Sequence, residues 1–155
     1  MFNNAPLNYN CPICLAIKGI EDENTWIKQD DIFYRDELVL GFISSKFIKG
    51  NEGHPMIAPN EHYENIYDLP EDVSHQIFDL GKKVSIALKK LRNCDGINLM
   101  QFNETAGDQH ALHYHLHIIP RFKDDNFHEE LWSGKRSNPK ERISYARDLR
   151  SHFKR

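Results

Sequence analysis

Residues 113–119 read His-Tyr-His-Leu-His-Ile-Ile. Alternation of this kind marks a β-strand, in which successive side chains point to opposite faces of a sheet. The spacing therefore places His113, His115 and His117 on one face and sends Tyr114, Leu116 and Ile118 into the interior. Same-face neighbours on a strand stand roughly 7 Å apart, close enough for two imidazoles to flank one phosphate or one metal ion. Nine histidines in 155 residues make some clustering unsurprising. Strict alternation beside an apolar run exceeds what composition alone supplies, so one face of this strand is read as chemical and the other as structural.

The rest of the chain must build a scaffold for that strand. With 39% apolar and 28% charged residues, it fits one globular domain spanning residues 1–155. No apolar stretch approaches the ~20 residues needed to span a bilayer. The opening Met1-Phe2-Asn3-Asn4 lacks the basic-then-apolar pattern of a secretory signal, so a soluble, cytoplasmic protein is expected. Three cysteines, an odd number, argue against a disulfide framework. Cys11-Pro12-Ile13-Cys14 is instead a candidate for metal or redox chemistry, although no thioredoxin-like βαβ pattern surrounds it, and Cys94 reads as a small buried residue. Residues 133–155 hold eight Lys or Arg against two acids, a balance of +6 that leaves −9 for the remainder of a chain whose net charge is −3. Such a basic tail is a solvated helix face or an attractor of polyphosphate.

Short β-prone runs at Thr25–Gln29, Ile32–Arg35 and Leu38–Ile43, divided by acidic turn signals, read as strands of a meander. Pro70, Glu71 and Asp72 open a helix in which Val73, Ile77, Leu80, Val84, Leu88 and Leu91 form an apolar stripe, with Lys89, Lys90 and Arg92 in the last turn. Two further strands, Ile97–Phe102 and His113–Phe122, are joined by the polar loop Asn103–His110 with Gly107 as its hinge, and Lys140–Phe153 reads as a terminal helix. The fold class is α+β: an antiparallel sheet of about five strands packed by one long helix plus a C-terminal helix.

A short apolar strand with a histidine at each end, Gly53-His54-Pro55-Met56-Ile57-Ala58-Pro59-Asn60-Glu61-His62, lies upstream of the alternating run. Together with Asn98, Asn103, Gln109, the run itself and the closing Pro120-Arg121, it resembles the histidine triad family of nucleotide hydrolases and transferases, from Cys11 to Arg121. The resemblance implies that His115 is the nucleophile, attacking the α-phosphorus of a nucleotide to form a nucleotidyl-histidine that water hydrolyses. His117 would bond the phosphate and help protonate the leaving group, with His54 a supporting histidine behind the triad. The chemistry of the position agrees, because an imidazole with an ordinary pKa of about 6.5 is largely unprotonated near neutrality. Asn103 and Gln109 would hold the phosphate. Zinc, in a closed structural site, would take Cys11, Cys14, His62 and His113, a set of four ligands of the type such sites use.

The family's usual ribose-binding Asp is replaced by Ser44, and its usual loop hydroxyl by His110, which either takes over a phosphate contact or faces solvent. Phe42, Ile43 and Ile13 are candidates to pack against the base. The resemblance thus implies a homodimeric enzyme, with neither nucleic acid nor membrane as partner, cleaving dinucleoside polyphosphates, adenylated compounds or nucleoside phosphoramidates. Two rivals stand beside it: a hydrolase whose three strand histidines bind one open zinc, and a nucleotide-binding protein without turnover.

Overall fold

Five strands form one antiparallel sheet in the spatial order β1 (Ile32–Arg35), β2 (Val39–Ile43), β4 (Pro55–Pro59), β6 (Leu116–Arg121) and β5 (Gly96–Met100) in a computed structural model that describes residues 2–154. Met1, in the stretch read for a secretory pattern, and Arg155, the last residue of the basic tail, lie outside the described residues. The register sets one transverse row, Ile32–Phe42–Met56–His117–Met100, on a single sheet face. The alternate residues Val39, Ile43, Ile57, Leu116 and Ile118 point to the other face, where the long helix α2 (Glu71–Arg92) covers them.

Helix α2 starts after Pro70 with Glu71 and Asp72 at its positive end, carries Lys89, Lys90 and Arg92 at its negative end, and stops at Asn93 in the left-handed region with φ 49°. Val73, Ile77, Leu80, Val84 and Leu88 are buried at spacings of three and four, whereas Leu91, expected in the stripe, is 44% exposed. The C-terminal helix α4 (Pro139–Phe153) begins with a capping box in which the Asn138 side chain accepts from Lys140 N and the Glu141 carboxylate accepts from Asn138 N. A short helix α1 (Pro12–Ile17), a one-turn helix α3 (Phe127–Glu130) and a two-stranded ribbon of β3 (Lys46–Phe47) with β7 (Lys135–Arg136) complete the elements.

The structure corrects four readings. Thr25–Gln29 is no strand. Asp22 accepts from the amides of Asn24 and Thr25, Thr25 Oγ1 donates to the Asp22 carbonyl, and Gln29–Asp31 is a 3-10 turn, so local side-chain bonds outcompete β propensity. Gly107 is not the hinge, because the loop turns at Glu104 and Asp108, with φ of 64° and 65°. The strand bearing the triad starts only at Leu116, so His113 and His115 lie in the irregular approach to it. Nor is the basic tail merely a solvated face, since Arg142, 1% exposed, donates from Nε to Asp31 at 2.8 Å and Arg150 donates to the Asp30 carbonyl. Part of the tail's charge docks α4 onto the acidic turn.

Candidate active site and metal centre

Cys11 caps α1, its Sγ accepting from Cys14 N at 3.4 Å, so the two thiols sit one turn apart on the same side. The thiols face His62, just beyond the end of β4, and His113. Cys11 Sγ lies 3.4 Å from His113 Nδ1, and Cys14 Sγ lies 3.3 Å from His62 Nδ1 and 3.5 Å from His113 Nδ1. All four ligand atoms fall within 4.8 Å of one another. With metal–sulfur and metal–nitrogen bonds of about 2.3 and 2.1 Å, tetrahedral geometry separates ligand atoms by roughly 3.5 Å, so these four residues fit a zinc ion. The chemistry of the donors agrees. His113 Nε2 donates to the Pro59 carbonyl at 3.0 Å, which leaves Nδ1 as a bare lone pair directed at the sulfurs. Burial pushes His113 down to about 3, keeping it neutral, and pushes the Cys11 thiol up to about 12, so a cation is what would ionise it.

On the sheet face opposite α2 lies a cavity open to solvent, about 960 Å³ with that open space included. Its walls carry His54, His115 and His117. His115 is 6% exposed and its Nδ1 stands 2.7 Å from the carbonyl oxygen of His113. A carbonyl only accepts, so the hydrogen resides on Nδ1 and the Nε2 lone pair is free. His54 Nε2 lies 3.1 Å from His117 Nδ1, while His54 Nδ1 is buried with no partner among the described residues. An orphaned lone pair is tolerated better than an orphaned N–H, which assigns the shared hydrogen to His54 Nε2 and makes Nε2 the hydrogen-bearing nitrogen of His117. The His115 and His117 rings are 4.9 Å apart. Burial lowers all three, His54 to about 3, with the Arg92 charge adding to the effect there, and His117 well below its ordinary value, so neutral imidazoles are the resting state.

The expected base-side residues Phe42 and Ile13 line the cavity, as does His110. Ile43 does not. It faces α2 in the main core at 0% exposure because consecutive strand residues cannot share a face. Ser44 lines the cavity, but its hydroxyl donates to the Lys46 carbonyl and accepts from Lys46 N, closing a turn. Asn103 and Gln109 are held away from the cavity wall. Asn103 Oδ1 accepts from Ile66 N and its amide pairs with Gln101, while Gln109 donates to the Glu64 carbonyl and accepts from Glu104 N. Trp26, Lys46, Phe102 and Trp132 line the cavity without having been singled out from the sequence. Phe102 continues the alternation of Asn98 and Met100, a readable signal, whereas neither tryptophan has one beyond its rarity.

Fold and site together define a histidine triad protein with a possible metal-binding cluster beside the triad. The chain belongs to the HIT domain family, which it matches over residues 27–124. It is 34% identical over 123 residues to Protein hit of Bacillus subtilis, covering 76% of each chain. It is 30% identical to a bis(5'-adenosyl)-triphosphatase of Dictyostelium discoideum, over 64% of this chain and 65% of that one. A Zn-bound histidine triad family protein from Mycobacterium smegmatis shares the fold with a TM-score of 0.73 at 24% identity, covering 94% of each chain. The family includes nucleotide hydrolases. No helix among the described residues is long and apolar enough to cross a membrane.

Proposed function

We propose that this protein hydrolyses nucleotides at the α-phosphate through a nucleotidyl-histidine formed on His115. The observation that carries the reading is the 2.7 Å bond from His115 Nδ1 to the His113 carbonyl, which leaves Nε2 as the one nucleophilic nitrogen of that ring. In the first step the Nε2 lone pair forms the N–P bond as the P–O bond to the leaving group breaks, and the electron pair departs on the leaving oxygen. His117 Nε2–H donates a hydrogen bond to that oxygen, so the developing charge meets a preorganised donor. In the second step water forms a P–O bond, the N–P bond breaks back onto Nε2, and a proton and the nucleoside monophosphate leave. Lys46, the one Lys or Arg lining the cavity among the described residues, would meet the charge of the phosphates. The name of the Dictyostelium relative, a bis(5'-adenosyl)-triphosphatase, supports this substrate class.

Zinc held by Cys11, Cys14, His62 and His113 would supply structural rigidity, with all four protein ligands closing the site. The three-histidine zinc rival finds no support, because His113 Nδ1 faces the cysteines and His115 Nδ1 faces a carbonyl. The free thiols suit a reducing compartment such as the cytoplasm. A homodimer would cover β5, which ends the sheet with Leu99 45% exposed. Mass spectrometry of enzyme quenched during turnover of diadenosine triphosphate tests the mechanism. A nucleotidyl adduct on His115 is expected, and full turnover by His115→Asn would overturn the reading in favour of another nucleophile.

A further inference from the structure

The cavity touches two separate apolar clusters. Ile13, Phe42 and Met56 belong to the cluster built around α1 and β2, while Ile48, Ile119 and Leu131 belong to one built around Phe127 of α3. His115 and His117 line the same space, and the transverse row Phe42–Met56–His117–Met100 runs from the first cluster to Met100, which packs against the second. Around the second end the rings gather. Phe102 stands edge-on to His117 with centroids 5.7 Å apart, Trp132 lies 5.5 Å from Phe102, and His110 lies 5.7 Å from Trp132. Trp132 is 53% exposed although it lines the cavity and has Phe102 and His110 edge-on beside it, a large apolar surface for a chain to leave in water.

We infer that Trp132, supported by Phe102 and His110, is a stacking platform for an aromatic ring on the leaving group, so that the preferred substrate carries a planar ring on each side of the scissile phosphate. The inference rests on the proposed nucleotide chemistry at His115. A ring at each end joined by phosphates is a dinucleoside polyphosphate. Its first base packs at the Ile13 and Phe42 end, its phosphates cross the histidine pair and Lys46, and its second base meets Trp132. Stacking on an aromatic platform tolerates any base, because every base has a π face, so the second nucleoside is selected for having a ring and not for its identity. His110, where a hydroxyl would be too short to reach Trp132, braces the indole.

The test compares diadenosine triphosphate, whose leaving group is ADP, with adenosine 5'-phosphoramidate, whose leaving group is ammonia. In Trp132→Ala the ratio of KM for the first to KM for the second is expected to rise about tenfold, the size of one lost base stack, and Trp132→Phe is expected to restore most of it. A ratio that moves less than twofold overturns the inference while leaving the proposed function standing. Calorimetry on His115→Asn supplies a readout free of turnover. Trp132→Ala in that background is expected to weaken diadenosine triphosphate about tenfold relative to AMP, and equal weakening of both would also overturn it. Failure of the native chain to cleave either compound would sink the proposed function instead, and the calorimetric comparison would then decide the platform alone.

Discussion

His115 hangs by its Nδ1, at 2.7 Å, from the backbone carbonyl of His113, the residue whose own Nδ1 faces the two cysteines. His113 therefore joins the candidate metal cluster to the other two histidines of the triad. The approach to β6 is irregular at this point, so no ladder holds the His113 carbonyl, and the side chain's anchorage at the cysteines and at the Pro59 carbonyl takes that part. Structural zinc contributes roughly 10 kcal/mol or more of apparent binding energy in small domains, far above ordinary single-residue effects. Cys14→Ser is expected to lower zinc content, melting temperature and turnover together, although Cys14 lies outside the catalytic pair. Metal analysis beside calorimetry and kinetics checks this, and full activity with one zinc retained would place the metal elsewhere.

The converse variant separates the two sites. In His115→Asn the proposed nucleophile is lost while all four cluster residues remain, so turnover should fall by at least about a thousandfold, as losses of a covalent nucleophile do, with zinc content and stability close to native. Comparable loss of zinc in that variant would revive the three-histidine metal site.

The triad, the cysteine pair and the long helix were all legible in the residues because each rests on local periodicity or short spacing. The strand placement of His113 was not. Its amide bonds to the Ala111 carbonyl and the amide of Tyr114 to the Tyr63 carbonyl, contacts set by a distant loop, so His113 faces the cysteines while His115 and His117 line the cavity. Phe42 and Ile43 could not both meet a base, a conflict the two-residue strand period already contains. Asn103 and Gln109 bear the right side chains, but loop turns at Glu104 and Asp108 direct those amides to the backbone of residues 64–66 and 104, a tertiary fact with no local trace. Trp132 lies just before β7 of the β3–β7 ribbon, whose pairing joins residues about 90 positions apart, and meets Phe102 and His110 across the fold.

Exposure of Leu99 on the terminal strand gives a prediction about assembly. An open sheet edge with an apolar side chain in water is a surface that a second copy would cover, and a charge there disfavours edge pairing. Leu99→Lys is expected to shift the protein from dimer to monomer in light scattering with little change in melting temperature at high dilution. A native protein that is monomeric at all concentrations would remove the dimer from the reading.

The last prediction concerns Asp125, just after β6. Its carboxylate accepts from Arg121 Nε and Nη2, both at 2.8 Å, from Asn51 Nδ2 at 2.8 Å, and from the amides of Phe122 and Phe127. Its side chain is only 4% exposed, and the Arg121 guanidinium, with these further donors, holds the carboxyl well below the usual carboxylate range. A carboxyl whose folded value is depressed adds stability above its unfolded value, near 4, and that stability is lost as pH falls through the folded value. The same group fixes Phe127, over which Arg121 lies at 4.0 Å, and so supports the apolar cluster under the far end of the cavity. Asp125→Asn keeps the shape but removes the charge, leaving Arg121 without its anion. It is expected to cost about 2–3 kcal/mol at pH 7 in urea denaturation. The difference from the native protein should shrink steadily below pH 4, as the carboxyl of the unfolded chain takes up a proton that the folded one still refuses. A cost that stays constant down to pH 2 would show that packing around Asp125, and not its charge, carries the stability.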